Sequence, residues 1–119
     1  MTTMTQAQNE ALVKLMLVAR YQDKKLSLSE EAEFNKHLDS LVWEPSKNVS
    51  AYALSEIANV RRALGDEASA QRFITAQCAQ FQTPELKAHC LSVIEAVLAA
   101  DTISEQEDNF LKKIQIALQ

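Results

Sequence analysis

Apolar residues recur every three or four positions along most of the chain, which is the spacing of one face of an α-helix. The spacing predicts six helices, which begin near Gln6, Ser27, Ser50, Asp66, Pro84 and Ser104. The first helix is expected to extend to about Gln22, and it is apolar on nearly every side, which is typical of a central, buried helix. The fifth helix is expected to face the core with Leu86, Cys90, Val93, Ile94 and Val97.

Local sequence signals mark several of the helix ends. Ser27 with Glu30, and Ser104 with Glu107, have the spacing of a capping box. In that motif the serine hydroxyl accepts the third helical N–H, and the glutamate reaches back to the N–H of the cap. Gly65, the single glycine, is expected to follow the third helix directly, at the position where many helices stop.

The composition supports an all-α fold. The chain has 119 residues, of which 47% are hydrophobic and 24% charged, so it has enough apolar surface to form an ordered core. One glycine and two prolines are too few turn residues for an all-β or alternating βαβ chain of this length. We therefore expect one domain, residues 1–119, folded as a bundle of about six to seven helices.

The net charge and the cysteine content limit the kinds of partner and the cellular location that the sequence predicts. The formal net charge of -4 argues against a nucleic-acid partner, because duplex binding depends on neutralising phosphates. Two cysteines are too few for a disulfide framework, and the first residues lack the basic segment of a secretory signal. The most apolar run, Ala11–Ala19, contains Lys14 and has about half the length needed to span a bilayer. These features predict a cytoplasmic protein with no transmembrane segment.

Residues 15–41 and 93–118 look like two copies of one unit. Each copy has an apolar helix, an aspartate (Asp23 or Asp101), an aliphatic residue, a serine cap, a glutamate three residues later and a second helix. Such a paired hairpin predicts a pseudo-twofold arrangement in which the two apolar helices pack centrally.

From about residue 11 to residue 118 the chain resembles the TerB-like family, which is named after a tellurite-resistance protein, with the two copies as the distinctive part. The resemblance lies in the run Ala99-Ala100-Asp101-Thr102-Ile103-Ser104, followed by Glu107 and Phe110-Leu111. The family pattern has a glycine after the aspartate, where this chain has Lys24 in the first copy and Thr102, or no residue, in the second. The resemblance implies an all-α bundle, a cytoplasmic role near stress response, and links to metal ions and multi-protein assemblies without an established catalytic activity.

The acidic residues of the two copies are candidate metal ligands. By analogy with the family the candidates are Asp23, Glu30, Asp101 and Glu107, with Glu31 and Asp108 next to them. Carboxylate oxygens suit hard cations such as Ca²⁺, Mg²⁺ or Mn²⁺. The alternative is that these residues only cap helices and stabilise turns, because acidic side chains are favoured in a first helical turn.

Other residue combinations carry weaker signals. His37, Cys78, His89 and Cys90 lack the CxxC or HExxH spacing of a zinc site, and buried cysteines with surface histidines are the simpler interpretation. Trp43 lies in the longest connection, so it is expected either at the edge of the core or exposed as an anchor for a partner.

Two functional hypotheses follow. The first is a non-enzymatic interaction module that docks a protein partner or self-associates, since the sequence contains no recognisable catalytic constellation. The alternative is a divalent-cation-binding regulatory protein that uses the two acidic loops. An enzyme would require a pocket with convergent polar groups.

Overall fold

The computed structural model describes residues 4–21, 28–100 and 103–119. These ranges contain no strand and six α-helices, namely α1 (Gln6–Arg20), α2 (Leu28–Ser40), α3 (Val49–Ala63), α4 (Glu67–Cys78), α5 (Pro84–Ala99) and α6 (Glu105–Ala117). The predicted all-α bundle of about six helices is confirmed. Helix α1 ends two residues before the predicted boundary, and Ser27, the predicted cap of α2, lies outside the described residues.

Helix α1 lies at the centre of the bundle. Every residue from Ala11 to Ala19 is buried except Lys14, which is partly buried. Helices α2, α3, α4 and α5 all pack against α1, so nearly every side of it meets another helix. The prediction of a central helix is confirmed. No helix in the described ranges is long and apolar enough to cross a membrane.

Helix α5 is the second helix of the interior. Its predicted core residues are all buried, and Leu98 joins them. It packs against α1 on one side and contacts α2 and α6 on others, while α6 also packs on α4. The buried side chains of all six helices form one core, because α1 and α5 connect the faces of the surrounding helices.

Side chains satisfy the free N–H groups at five helix starts. The N-caps are Thr5, Asn48, Asp66, Thr83 and Ser104, and each accepts a hydrogen bond from the backbone N–H three residues later. The predicted capping box of α6 is present: Glu107 N–H donates to Ser104 Oγ across 3.1 Å, and Ser104 N–H donates to Glu107 Oε1 across 2.9 Å.

Gly65 follows α3 as predicted, but it does not adopt the left-handed conformation often found there. The chain turns with a tight hydrogen bond instead, in which Gly65 N–H donates to the Arg62 carbonyl across 3.1 Å. A Cβ atom at this position would lie 3.1 Å from the same carbonyl oxygen. Close backbone approach, rather than a positive φ angle, therefore explains the glycine.

The two hairpins of the sequence repeat have different surroundings. The apolar helices α1 and α5 do pack against each other, as the repeat predicts. Helix α2 packs on α5, and a strict twofold would place α6 equally on α1, yet the main contacts of α6 are with α4 and α5. The insertion of α3 and α4 between the copies accounts for this asymmetry, because α1 is covered by both of them.

Candidate functional site

An open groove lies between α2 and α3. Both helices pack on α1 but have little direct contact with each other. The α2 wall consists of Glu31, Phe34, Asn35 and Leu38, and the α3 wall consists of Ser50, Ala53, Leu54 and Ile57. Each set has the spacing i, i+3, i+4, i+7, so each wall is one face of a helix over two turns, about 10 Å long.

Apolar side chains form most of the groove surface. Phe34, Leu38 and Ala53 are buried at its base, and Leu17 of α1 lies on its floor. Leu54 stands at the rim with 70% of its surface exposed. A large aliphatic side chain so exposed beside buried apolar ones can gain free energy by packing against another molecule.

Arg20 contributes the cationic group of the groove. Its guanidinium carbon lies 5.1 Å from the centre of the Phe34 ring, within the range of a cation–π interaction. The Nε atom is buried and has no hydrogen-bond acceptor in the part of the chain that the structure describes. Among the same residues Arg20 forms no ion pair, and the residue as a whole is partly exposed.

The size and shape of the groove limit what it can hold. Its volume is about 210 Å³, which is below the roughly 300–1,000 Å³ of typical small-molecule sites. Two helical walls over an apolar floor are instead the surroundings that receive the apolar face of another helix.

The structure describes two of the four predicted metal ligands, Glu30 and Glu107. Both are buried, with 4% and 1% of their surfaces exposed. One carboxylate oxygen of Glu107 already accepts the Ser104 N–H, so helix capping accounts for its position. The other two predicted ligands, Asp23 and Asp101, lie outside the described residues.

Glu31 and Asp108, the acidic residues next to the predicted ligands, have other surroundings. Glu31 lines the groove, and Asp108 is exposed and forms an ion pair with Lys112 across 3.1 Å. Residues 4–21, 28–100 and 103–119 contain no group of three His, Cys, Asp or Glu side chains that could hold a metal ion.

The histidines and cysteines have ordinary structural environments. Cys78 and Cys90 are both buried, and loss of solvation raises the pKa of Cys78 to about 11 and that of Cys90 to about 12. His37 lies on α2 with its Nε2 3.1 Å from Glu33 Oε1, while His89 is exposed on α5. The prediction of buried cysteines is confirmed, and His89 is a surface residue as expected, whereas His37 is partly buried rather than on the surface.

Trp43 lies at the edge of the core rather than fully in solvent. It is partly buried, and its ring centroid is 5.3 Å from that of Tyr52, with the planes tilted by 48°. Burial raises the pKa of Tyr52 well above its usual range, and the nearby carboxylates of Glu56 and Glu10 add to this effect. The first of the two expectations for Trp43, at the core edge, is confirmed.

The residues that make the groove distinctive, Arg20 and Leu54, were not among the functional residues predicted from the sequence. Arg20 looks like a conventional cation in the last turn of a helix, where the macrodipole favours it. Leu54 follows the buried Ala53, and its spacing with Ser50, Ala53 and Ile57 was the available signal for a second, exposed stripe on α3.

Comparison with known proteins adds no relative. Scans against protein-family models, curated proteins and solved structures each found no match to this chain.

Proposed function

We propose that this chain is a non-enzymatic interaction module that holds an amphipathic helix of a partner protein between α2 and α3. The observation that carries the proposal is the groove itself, with two helical walls of matching i, i+3, i+4, i+7 spacing over an apolar floor. A partner helix with anchors at i, i+3 or i+4, and i+7 covers the same length of about 10 Å.

The exposed rim supports a partner of this kind. Leu54 is 70% exposed and Ile57 is partly buried next to it, so a helix laid in the groove would remove apolar surface from water. The acidic net charge of the chain further favours a protein ligand over a nucleic acid.

The TerB-like resemblance of residues 99–111 agrees with this proposal, because the family is linked to multi-protein assemblies. A cytoplasmic location and a role near stress response or tellurite resistance rest on that resemblance alone, and they stay predictions.

Site-specific photo-crosslinking in living cells tests the proposal. A photoreactive phenylalanine analogue replaces Leu54 on the groove rim or, as a matched control, Ile116 on α6, which is 69% exposed. We expect a protein crosslink at Leu54 that is absent at Ile116, with the crosslinked site of the partner in an amphipathic helix.

The crosslinked helix is then synthesised and its affinity measured for the wild type and for Leu54→Glu. Loss of binding in this variant supports the groove as the site. Equal crosslinking at both positions, or an affinity unchanged by Leu54→Glu, contradicts the proposal. Crosslinks to a second copy of this chain would identify self-association as the form the interaction takes.

Divalent-cation binding is the second candidate function. Its supporting observation is the burial of Glu30 and Glu107, the equivalent glutamates of the two sequence copies. Carboxylate oxygens suit hard divalent cations. The Glu107 carboxylate is already engaged by the Ser104 N–H, which is why the interaction module is the first choice.

A further inference from the structure

We infer that the partner helix carries an aspartate or glutamate on its apolar face, and that this carboxylate pairs with Arg20 on the groove floor. The inference rests on the proposed function and specifies the chemistry of the partner.

The position of Arg20 is set before any partner arrives. The ring of Phe34 lies under the guanidinium, and α1, which carries Arg20, is the most enclosed helix of the bundle. A guanidinium held in this way loses little conformational freedom when it forms new hydrogen bonds. Arg20 is therefore a prepared binding group rather than a flexible surface charge.

A helix that fills the groove would cover the positive charge of Arg20. Arg20 is partly exposed in the groove, and a docked apolar face would remove its remaining contact with water. Removing a guanidinium from water without a counter-charge is strongly unfavourable. A carboxylate on the docking face avoids that loss, because its two oxygens match the paired donors of the guanidinium.

The groove contains one acidic side chain of its own, Glu31. Its carboxylate is exposed and lies beyond the 4.0 Å limit of an ion pair with Arg20. The Nε atom of Arg20 likewise has no acceptor among the described residues. The acceptor for Arg20 is therefore expected from the partner, with Glu31 left at the solvent edge.

A peptide selection tests both the site and its charge preference. A displayed library of amphipathic helical peptides, with the positions of the apolar face randomised, is selected on immobilised wild-type protein and on Arg20→Glu. We expect wild type to enrich peptides with Asp or Glu at one fixed face position. The charge-reversed variant should enrich Lys or Arg at that position.

The outcomes of the selection distinguish the inference about Arg20 from the proposed function. Helical peptides that bind in the groove without an acidic preference would overturn the inference and leave the interaction module standing. Failure to enrich helical peptides, or enrichment of peptides whose binding is unaffected by Leu54→Glu, would overturn the proposed function and the inference together.

Affinities of one selected peptide then measure the pairing directly. Replacement of its acidic residue by glutamine should weaken binding to wild type about tenfold, and binding to Arg20→Met less than twofold. Arg72→Met on α4, outside the groove, is the matched control and should behave as wild type.

Arg20→Lys guards against a loss of folding, because it keeps the charge while removing the paired donors. Thermal unfolding of every variant confirms that it is folded before its affinity is compared. If the glutamine replacement in the peptide weakens binding equally to wild type, to Arg20→Met and to Arg20→Lys, the pairing with Arg20 is overturned.

Discussion

Asn9 donates a hydrogen bond from its Nδ2 to the backbone carbonyl of Val42 across 2.8 Å, and only 2% of Asn9 is exposed. Beside it, Gln6 Oε1 accepts the backbone N–H of Glu44 across 3.1 Å. Residues 41–48 connect α2 to α3 without regular structure of their own, so their backbone groups need partners from elsewhere. Helix α1 thus fixes the connection that sets the separation of the two groove walls.

Replacement of Asn9 by alanine should destabilise the fold. The change removes the hydrogen bond from Asn9 to the Val42 carbonyl, and the loss of one intramolecular hydrogen bond lowers the free energy of unfolding by about 1 kcal/mol. Urea denaturation measures the loss. Asn59→Ala is the control, because Asn59 is exposed on α3, and its effect should stay within about 0.5 kcal/mol. Equal losses in the two variants would show that the bond to Val42 does not anchor the connection.

The start of α6 should depend on Ser104. Ser104→Ala removes the acceptor for the Glu107 N–H, and loss of such a cap lowers the free energy of unfolding by about 1 kcal/mol. Ser104→Thr keeps a hydroxyl and should recover most of the stability in the same denaturation assay. A threonine variant as unstable as the alanine variant would mean that packing around Ser104, not capping, is responsible.

The sequence predicts the fold well because the decisive signals are local. The core face of α5 follows from a 3.6-residue period, and the caps Asp66 and Ser104 act on N–H groups three residues away. Such signals depend on neighbours within one or two turns. Helix starts and buried faces were therefore largely predictable.

The groove was not predictable for the opposite reason. It exists because α2 and α3 separate over α1, and this depends on contacts such as Asn9 with Val42, 33 residues apart in sequence. The role of Arg20 likewise depends on Phe34, which belongs to another helix. The predicted metal site stays a prediction, since Asp23 and Asp101 lie outside the described residues.

The lowered pKa of Asp66 makes the stability of the fold depend on pH in the acidic range. The backbone N–H and then the hydroxyl of Ser69 donate to its carboxylate and lower the pKa of Asp66 below its ordinary value. A lowered pKa means that the ionised cap stabilises the fold above the pKa of unfolded aspartate. This stabilisation is lost as the pH falls through the folded pKa.

Ser69→Ala separates the two donors, because it removes the hydroxyl and leaves the backbone N–H. We expect the pKa of Asp66, followed by NMR titration of its carboxyl group, to rise part of the way towards the ordinary value. Ser92→Ala on α5 is the control and should leave it unchanged. A pKa of Asp66 that does not respond to Ser69→Ala would assign the whole shift to the backbone.

Cys78 and Cys90 should resist thiol reagents in the folded protein. Both are buried, and burial raises the pKa values to about 11 and about 12, so very little reactive thiolate is present at pH 8. Labelling with a chromogenic disulfide should be slow in buffer and complete in urea. A cysteine introduced by Ser92→Cys, at an exposed position of α5, should react rapidly and serves as the control.

The raised pKa values of Cys78 and Cys90 also make the stability of the fold depend on pH in the alkaline range. The folded state holds the thiol protons more tightly than the unfolded state, so this stabilisation is full below the unfolded pKa. It declines as the pH rises towards the folded values of about 11 and 12. Cys78→Ala and Cys90→Ala should each flatten the alkaline part of the stability curve. Rapid labelling of the native thiols at pH 8 would contradict their burial.

Chelation separates the interaction module from the cation-binding alternative. Protein treated exhaustively with a chelator is melted alone and with Ca²⁺, Mg²⁺ or Mn²⁺, as wild type and as Asp101→Asn. An ion that binds only the folded state at 100 times its dissociation constant adds about 2.7 kcal/mol, or roughly 10 °C in Tm for a domain of this size. We expect no such shift, because the Glu107 carboxylate is already engaged by the Ser104 N–H.

A shift near 10 °C that Asp101→Asn abolishes would instead establish the cation site. Asp39→Asn is the control for the loss of one negative charge, because Asp39 is exposed on α2 and outside the candidate ligand set. If both variants reduce the shift equally, the ion responds to the overall negative charge of the protein rather than to a site. Only an effect confined to Asp101→Asn would assign the bound ion to the acidic segment that contains Asp101.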